Sequence, residues 1–254
     1  MQPTKSGRKT MNNTKRDRIF AEKLEQLSHF RFDERVAEVF PDMLQRSIPG
    51  YPAIISMIET LTTRFAQPNT NLYDLGCSLG ASAVSMAQGL KVDGCKILAV
   101  DASEAMIDKC LENTEQFDLP TKIDFRCEDI NHTVIENASV VVLNFTLQFI
   151  APEKRFSLLK SIYDGMNPGG ILILSEKVKF EDHEVNELLI DIYHAFKKAN
   201  GYSDLEISQK RTALENVLIP QTVKDHRDRL IRAGFKSAEQ WFQCFNFMSM
   251  LAIK

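Results

Sequence analysis

Acids and amides recur at the ends of apolar runs between Asp74 and Asn144, where a bound ligand can reach them. The first run, Asn71-Leu-Tyr-Asp-Leu75, passes through Gly76-Cys-Ser-Leu-Gly80 into the helix-forming stretch Ala81–Gln88. A strand turning through glycines into a helix lets backbone N–H groups approach a ligand closely, and the helix dipole favours an anion there. Asp101 ends the next apolar run, a position where an acid suits ribose hydroxyls. Glu128-Asp-Ile130 and Asn144 end two later runs. A dinucleotide fingerprint is Gly-x-Gly-x-x-Gly, and here Ser78 stands in the place of its middle glycine. Simpler readings compete: an ordinary glycine turn, a capping or surface acid at Asp129, a plain strand-end amide at Asn144. Cys77 has no histidine in its motif to activate it, so packing is expected of it. His132, His183, His194 and His226 show no ligand or triad spacing, and no metal is expected.

The elements that must position these groups alternate. Strands are expected at 72–75, 96–100, 122–127, 138–144 and 171–176, with helices at 80–88, 103–117 and 152–166 between them. The stretch Ala138–Asn144 is nearly all apolar, as a central parallel strand covered on both faces requires. Alternation of this kind predicts a parallel sheet with right-handed crossovers, an α/β Rossmann-like fold. Helices over 33–40 and 53–65 precede it, with Pro41 either kinking the first or beginning another. A short helix is expected over 19–30. Two helices over 181–198 and 204–217 interrupt the rhythm as an insertion at about 180–220, after the fifth strand. An insertion there lies near the carboxyl ends of the strands, where ligands bind in such sheets. A helix over 222–233 ends at Gly234, and two strands over 239–244 and 246–254 close the chain, the last antiparallel.

The 254 residues are 44% hydrophobic and 26% charged, enough for a sizeable core in one large domain with additions. The division expected is a basic, flexible extension over 1–31 and a single domain over 32–254. Residues 1–18 carry six Lys or Arg against one acid. A net charge of −3 argues against a globally basic nucleic-acid binder, and no direct nucleic-acid binding is expected. Five cysteines without a Cys-x-x-Cys pair read as reduced thiols of a cytoplasmic protein. No apolar run approaches a membrane span, and no signal peptide is evident.

The pattern Asp74-Leu-Gly-x-x-x-Gly80 resembles motif I of class I S-adenosylmethionine (SAM) methyltransferases. Beyond it, five further blocks are similar to the carboxy-S-adenosyl-L-methionine synthase family. They are Phe32-Asp-Glu-Arg-Val-Ala-Glu-Val-Phe-Pro-Asp-Met43, Gln45-Arg-Ser-Ile-Pro-Gly-Tyr51, Val142-Leu-Asn-Phe-Thr-Leu-Gln-Phe149, Glu206-Ile-Ser-Gln-Lys-Arg211 and Trp241-Phe-Gln-Cys-Phe-Asn246. The resemblance covers nearly everything after residue 31. It implies a methyltransferase fold that alters SAM, its substrate, instead of donating the methyl. Prephenate would be the carboxyl donor, and the products carboxy-SAM and phenylpyruvate. Carboxy-SAM would then supply a tRNA carboxymethyltransferase acting on wobble uridine. By the same resemblance Tyr51, Gly76, Cys77, Ser78, Asp101, Ala102, Asp129, Ile130 and Asn144 bind the SAM-derived ligand. Asp129 would meet the adenine amino group. Arg211 would meet the added carboxylate, reaching across a homodimer. Arg35 and Arg46 are further cation candidates, with exposed helix arginines as the plainer reading. The core alone is equally compatible with a conventional methyltransferase of a small molecule or RNA. A SAM-binding protein without activity is the third reading.

Overall fold

The apolar runs become the strands of one seven-stranded sheet in a computed structural model that describes residues 15–24, 28–115 and 117–254. In chain order the elements are α1 (Glu34–Ser47), α2 (Tyr51–Phe65), β1 (Asn71–Leu75), α3 (Ala81–Gly89), β2 (Lys96–Asp101), α4 (Glu104–Thr114), β3 (Ile123–Cys127) and β4 (Ala138–Asn144). Then come α5 (Arg155–Gly165), β5 (Met166–Lys177), α6 (His183–Ala199), α7 (Asp204–Leu214), α8 (Val223–Ala233), β6 (Ser237–Cys244) and β7 (Phe247–Ile253). The strand order is β3-β2-β1-β4-β5-β7-β6. Strands β1 to β5 pair in parallel, and β7 runs antiparallel between β5 and β6. This is the mixed sheet of class I methyltransferases, with the expected N-terminal helices and the insertion after the fifth strand.

Alternate residues of the strands build two apolar layers. On one face Leu72, Val142 and Ile173 pack with Ile54 and Ile58 of α2, Ala83 and Met86 of α3 and Tyr193 of α6. On the other, Leu75, Leu143 and Leu174 pack with Leu159 and Ile162 of α5 and Leu230 of α8. Most of these side chains are fully buried, each contributing about 1.5–3 kcal/mol of transfer free energy. A third cluster joins Val36, Phe40 and Met43 of α1 to Leu79 of the glycine turn and Met106 of α4. It fastens the N-terminal helix over the edge where ligands bind.

Local signals set most helix starts. Asp33, Ser103 and Asp182 accept the N–H of the third residue beyond them. Ser203 with Glu206, and Thr222 with Asp225, form full capping boxes. Pro41 lies inside α1, as the first of its two readings had it, and the helix runs on past residue 40 to Ser47. Two local expectations change. Strand β5 begins at Met166, not Ile171: Met166 pairs with Ala138, then Ile171 with Val140, so residues 167–170 loop out as a bulge. Residues 19–24 and 28–30 are turns and extended chain, not helix. Their backbone groups are claimed by α7 instead. The Gln209 amide donates to the carbonyls of Phe20 and Glu22 and accepts the Leu24 N–H, while Phe30 N–H donates to Ala213.

Of the basic extension expected over 1–31, residues 1–14 and 25–27 lie outside the described residues. Residues 15–24 are held against the body. Asp17 is 1% exposed, accepts the Tyr202 hydroxyl at 2.6 Å and lies 3.6 Å from Lys210 Nζ.

Candidate active site

The glycine turn between β1 and α3 is fixed by three residues with positive φ, Gly76 (+81°), Ser78 (+48°) and Gly80 (+79°). At Gly76 a Cβ would lie 2.3 Å from Thr146 Cγ2, so only glycine lets the turn meet the segment after β4. Gly76 and Cys77 donate their N–H groups to Val100, tying the turn to β2. Helix α3 has no side-chain cap at Gly80, which leaves its first amides for an anionic group. Cys77 is buried, and contact with Cys110 followed by burial pushes its thiol well above the ordinary range. It is a packing residue, not a nucleophile.

Asp101 closes β2 and braces the two turns that flank it. Its Oδ2 accepts Ser78 N–H and its Oδ1 accepts Ser103 N–H, both at 2.9 Å. It thereby locks the glycine turn to the start of α4 while keeping further lone pairs for hydroxyl donors. Burial raises its pKa, and the amides of Ser103, Ser78 and Ala102 oppose that. Cys127 of β3 pairs with Asp101, and Glu128 N–H donates to the Asp101 carbonyl, so the 128–130 loop lies beside Ala102. Within that loop Ile130 is buried, whereas Asp129 is exposed. Asp129 Oδ1 accepts the backbone and side-chain N–H of Asn131, which hold its pKa low. This is a side-chain-closed turn on an exposed acid, with no helix for it to cap, and Oδ2 makes no hydrogen bond among the described residues.

Asp74 is the residue the motif displays but the sequence did not assign. It is 1% exposed in the middle of β1, and neither carboxylate oxygen has a partner of normal hydrogen-bond geometry. Burial pushes its pKa up to about 7, the facing Ala83 amide lowers it, and the Asp101 charge raises it. Asn144 projects from the same face of β4; its Nδ2 donates to Ser82 Oγ and its Oδ1 is buried without a partner. Unpaired buried acceptors of this kind are rare, because each forfeits its hydration. Three acceptors turned to one face fit the ammonium group of an amino acid, such as the methionyl end of SAM. Tyr51 opens α2 beside them, its ring 6.4 Å from that of Phe145. Burial and then the Asp74 charge raise its hydroxyl pKa, so the group stays neutral. The one legible signal for Asp74 was an acid inside an otherwise apolar strand.

The segment after β4 forms the floor. Phe145 N–H donates to Ser175, and Leu147 N–H donates to Glu176 Oε1 at 2.9 Å. Glu176 is fully buried, and desolvation lifts its pKa to about 8 against the opposing charge of Arg155. Arg155 is itself fully buried, spanning the carbonyls of Gln148, Ile150 and Ile219.

Basic groups gather on the α6–α7 side of the cleft. Arg211 is exposed in the last turn of α7, and its charge disfavours protonation of Lys177 and His194 in its own chain. No hydrogen bond links Arg211 to the glycine turn among the described residues. The other two arginines are occupied elsewhere. Arg46 is 8% exposed, not a surface residue, and bonds to Asp42, Asn200 and the Asp17 carbonyl. Arg35 is exposed beside Asp33.

Comparison with known proteins bears on the family and the fold. A family model of a methyltransferase domain matches residues 72–170. A carboxy-S-adenosyl-L-methionine synthase of Vibrio campbellii is 58% identical over 238 residues, covering 94% of this chain and 97% of its own. One from Yersinia pestis is 56% identical over 239 residues, covering 94% and 90%. Magnesium protoporphyrin IX methyltransferase from Synechocystis with bound S-adenosylhomocysteine (SAH) shares the fold. Its TM-score is 0.58 at 15% identity, over 84% of this chain and 87% of that one.

Proposed function

Because this chain belongs to the carboxy-S-adenosyl-L-methionine synthase family, we propose that it converts SAM and prephenate to carboxy-SAM and phenylpyruvate. The observation that carries this reading is near-full-length similarity to enzymes of that name, joined to a cleft whose unpaired acceptors suit SAM. Asp74 and Asn144 Oδ1 take the ammonium, Asp101 the ribose hydroxyls, and the 128–130 loop the adenine. Tyr51 and the Gly76–Ser78 turn enclose the sulfonium end.

The chemistry makes modest demands on protein bases. A methyl group on a sulfonium is acidic because the adjacent positive sulfur stabilises an ylide. Prephenate aromatises by releasing carbon dioxide and its ring hydroxyl. The departing hydroxide takes the methyl proton and leaves as water, and the ylide carbon bonds to the carbon dioxide. Aromatisation leaves phenylpyruvate. Water must be kept from the ylide, which a cleft walled by Tyr51, Phe145 and Phe247 favours. Arg211 supplies a permanent charge and planar fork for the new carboxylate.

Carboxy-SAM made here serves a tRNA carboxymethyltransferase in wobble-uridine modification, with no direct nucleic-acid contact by this chain, whose net charge is −3. The enzyme works in the cytoplasm, a reading supported by five free thiols, and among the described residues no helix is long and apolar enough to cross a membrane. It acts as a homodimer to which Arg211 contributes across the interface. Mass spectrometry of ligand released from fresh protein tests the chemistry, together with turnover of SAM and prephenate. A nucleoside heavier than SAM by one carbon dioxide is expected. Failure to form it with both substrates supplied overturns the proposal, and SAH as the sole ligand with turnover on another acceptor favours ordinary methyl transfer.

A further inference from the structure

Lys177 is the last residue of β5, two positions beyond Ser175, which pairs with Asn144. Side chains alternate along a strand, so Lys177 shares the face of Asn144 and Asp74 at the carboxyl edge of the sheet. Its backbone is fixed by Gln148 Oε1. Its ammonium has no hydrogen bond and no ion pair among the described residues, and lies 5.0 Å from the centre of the Tyr193 ring. Lys197 stands behind it, 5% exposed, 5.3 Å from Tyr193 and 5.7 Å from Tyr202, also without an ion pair.

Three acids of this region are already engaged. Asp17 faces Lys210 and Tyr202, Asp42 is paired with Arg46, and Glu206 caps α7 through Ser203. Burial and then the charge of Arg211 bring the Lys177 pKa down to about 8. Burial, Lys210 and Lys177 bring that of Lys197 down to about 7, against Asp17 and Glu206. Two desolvated ammonium groups held over a tyrosine, with further cations nearby, form a site short of negative charge.

The approach to that site is aromatic. Tyr193 packs on Phe247 at 5.0 Å, Phe247 on Phe145 at 5.9 Å, and Phe145 on Tyr51 at 6.4 Å. A continuous line of packed rings thus runs from Tyr51, beside the glycine turn, to Tyr193 under Lys177. We propose that Lys177, backed by Lys197, anchors the carboxylate that the dicarboxylate donor retains, placing the carboxylate it loses beside the sulfonium methyl. This rests on the donor chemistry proposed above, but it holds whichever chain of a dimer supplies Arg211.

Two measurements on Lys177→Met and Lys177→Arg test it. Methionine keeps the length and apolar stem but loses the charge. In turnover, Lys177→Met raises the KM for prephenate about tenfold or more, the loss expected for one charge-assisted bond. Arginine recovers part of the difference. Calorimetry of SAH gives affinities within about twofold of wild type, because the lysine does not touch that ligand. Independently of turnover, phenylpyruvate titrated into SAH-loaded wild type binds, and Lys177→Met binds it about tenfold more weakly or not at all. Wild-type protein that makes no carboxy-SAM overturns the proposed function, and the phenylpyruvate titration still decides Lys177. An unchanged KM, equal phenylpyruvate affinity or no wild-type binding of phenylpyruvate overturns the anchor. If Lys177→Met fails to fold, Lys197→Met is compared by the same titration, and equal affinity there overturns the pair.

Discussion

A carboxyl group buried in a central strand with neither oxygen hydrogen-bonded makes the cleft sensitive to pH near neutrality. For Asp74 the ordinary value of 3.8 rises to about 7 through burial, with the Ala83 amide opposing and Asp101 adding to it. The ligand-free fold binds the extra proton between these values, so the contribution of Asp74 to stability is full below 3.8 and is lost as pH rises to about 7. A ligand ammonium pairs with the ionised form and reverses the preference. SAH affinity therefore climbs as pH is raised through 7, and protons are released on binding below it. Calorimetry in buffers of different ionisation enthalpy measures both. Asp74→Asn should weaken SAH and flatten the dependence; a profile that stays steep in this variant removes Asp74 from the ammonium site. Asp101 has a structural duty that its motif position did not reveal, since its two oxygens brace Ser78 and Ser103.

At the scale of elements, the cleft depends on how the segment after β4 is held. Its regular structure is limited to two short 3-10 turns, Leu147–Phe149 and Pro152–Lys154, and it lies against the glycine turn through Thr146. Glu176 of β5 clamps it by accepting Leu147 N–H, and Gln148 returns the bond to Lys177 N–H. With its pKa near 8, Glu176 is mostly neutral at pH 7, so an amide reproduces its hydrogen bonding. Glu176→Gln should melt close to wild type. Glu176→Ala leaves a buried N–H unsatisfied and should lose about 1–3 kcal/mol in urea denaturation. Its SAH affinity should fall too, because Gly76 and Asn144 border the loosened segment. Equal stability of all three proteins removes the clamp from this account.

For the whole molecule, the helical insertion joins the cleft to the outer surface. Its inner side carries Tyr193 and Lys197; its outer side exposes Val185, Leu188 and Ile192, three apolar residues at helical spacing on α6. Such a stripe beside the cleft is where the proposed dimer would bury apolar surface. Leu188, 58% exposed, touches little within its own chain, so Leu188→Glu should leave the melting temperature of the isolated chain nearly unchanged. It should shift sedimentation from dimer to monomer. A dimer of unchanged stability after this substitution places the contact elsewhere.

Sequence by itself determined the order of strands and helices, the glycine turn and the strand-end positions of Asp101, Asp129 and Asn144. These follow from local rules: apolar periodicity sets which residues face inward, caps such as Ser103 and Thr222 set helix starts, and positive-φ turns favour glycine. The same rules misplaced residues 19–24 and 28–30 and the start of β5, because α7 and β4 supply their partners from far along the chain. Only the tertiary structure decided which charged groups lack a counter-ion. In sequence Asp74 shows only as an acid within an apolar strand, and Lys177 only as the end of Ser175-Glu-Lys177. Their character comes from what surrounds them after folding, since desolvation and pairing are set by side chains contributed from several separate elements.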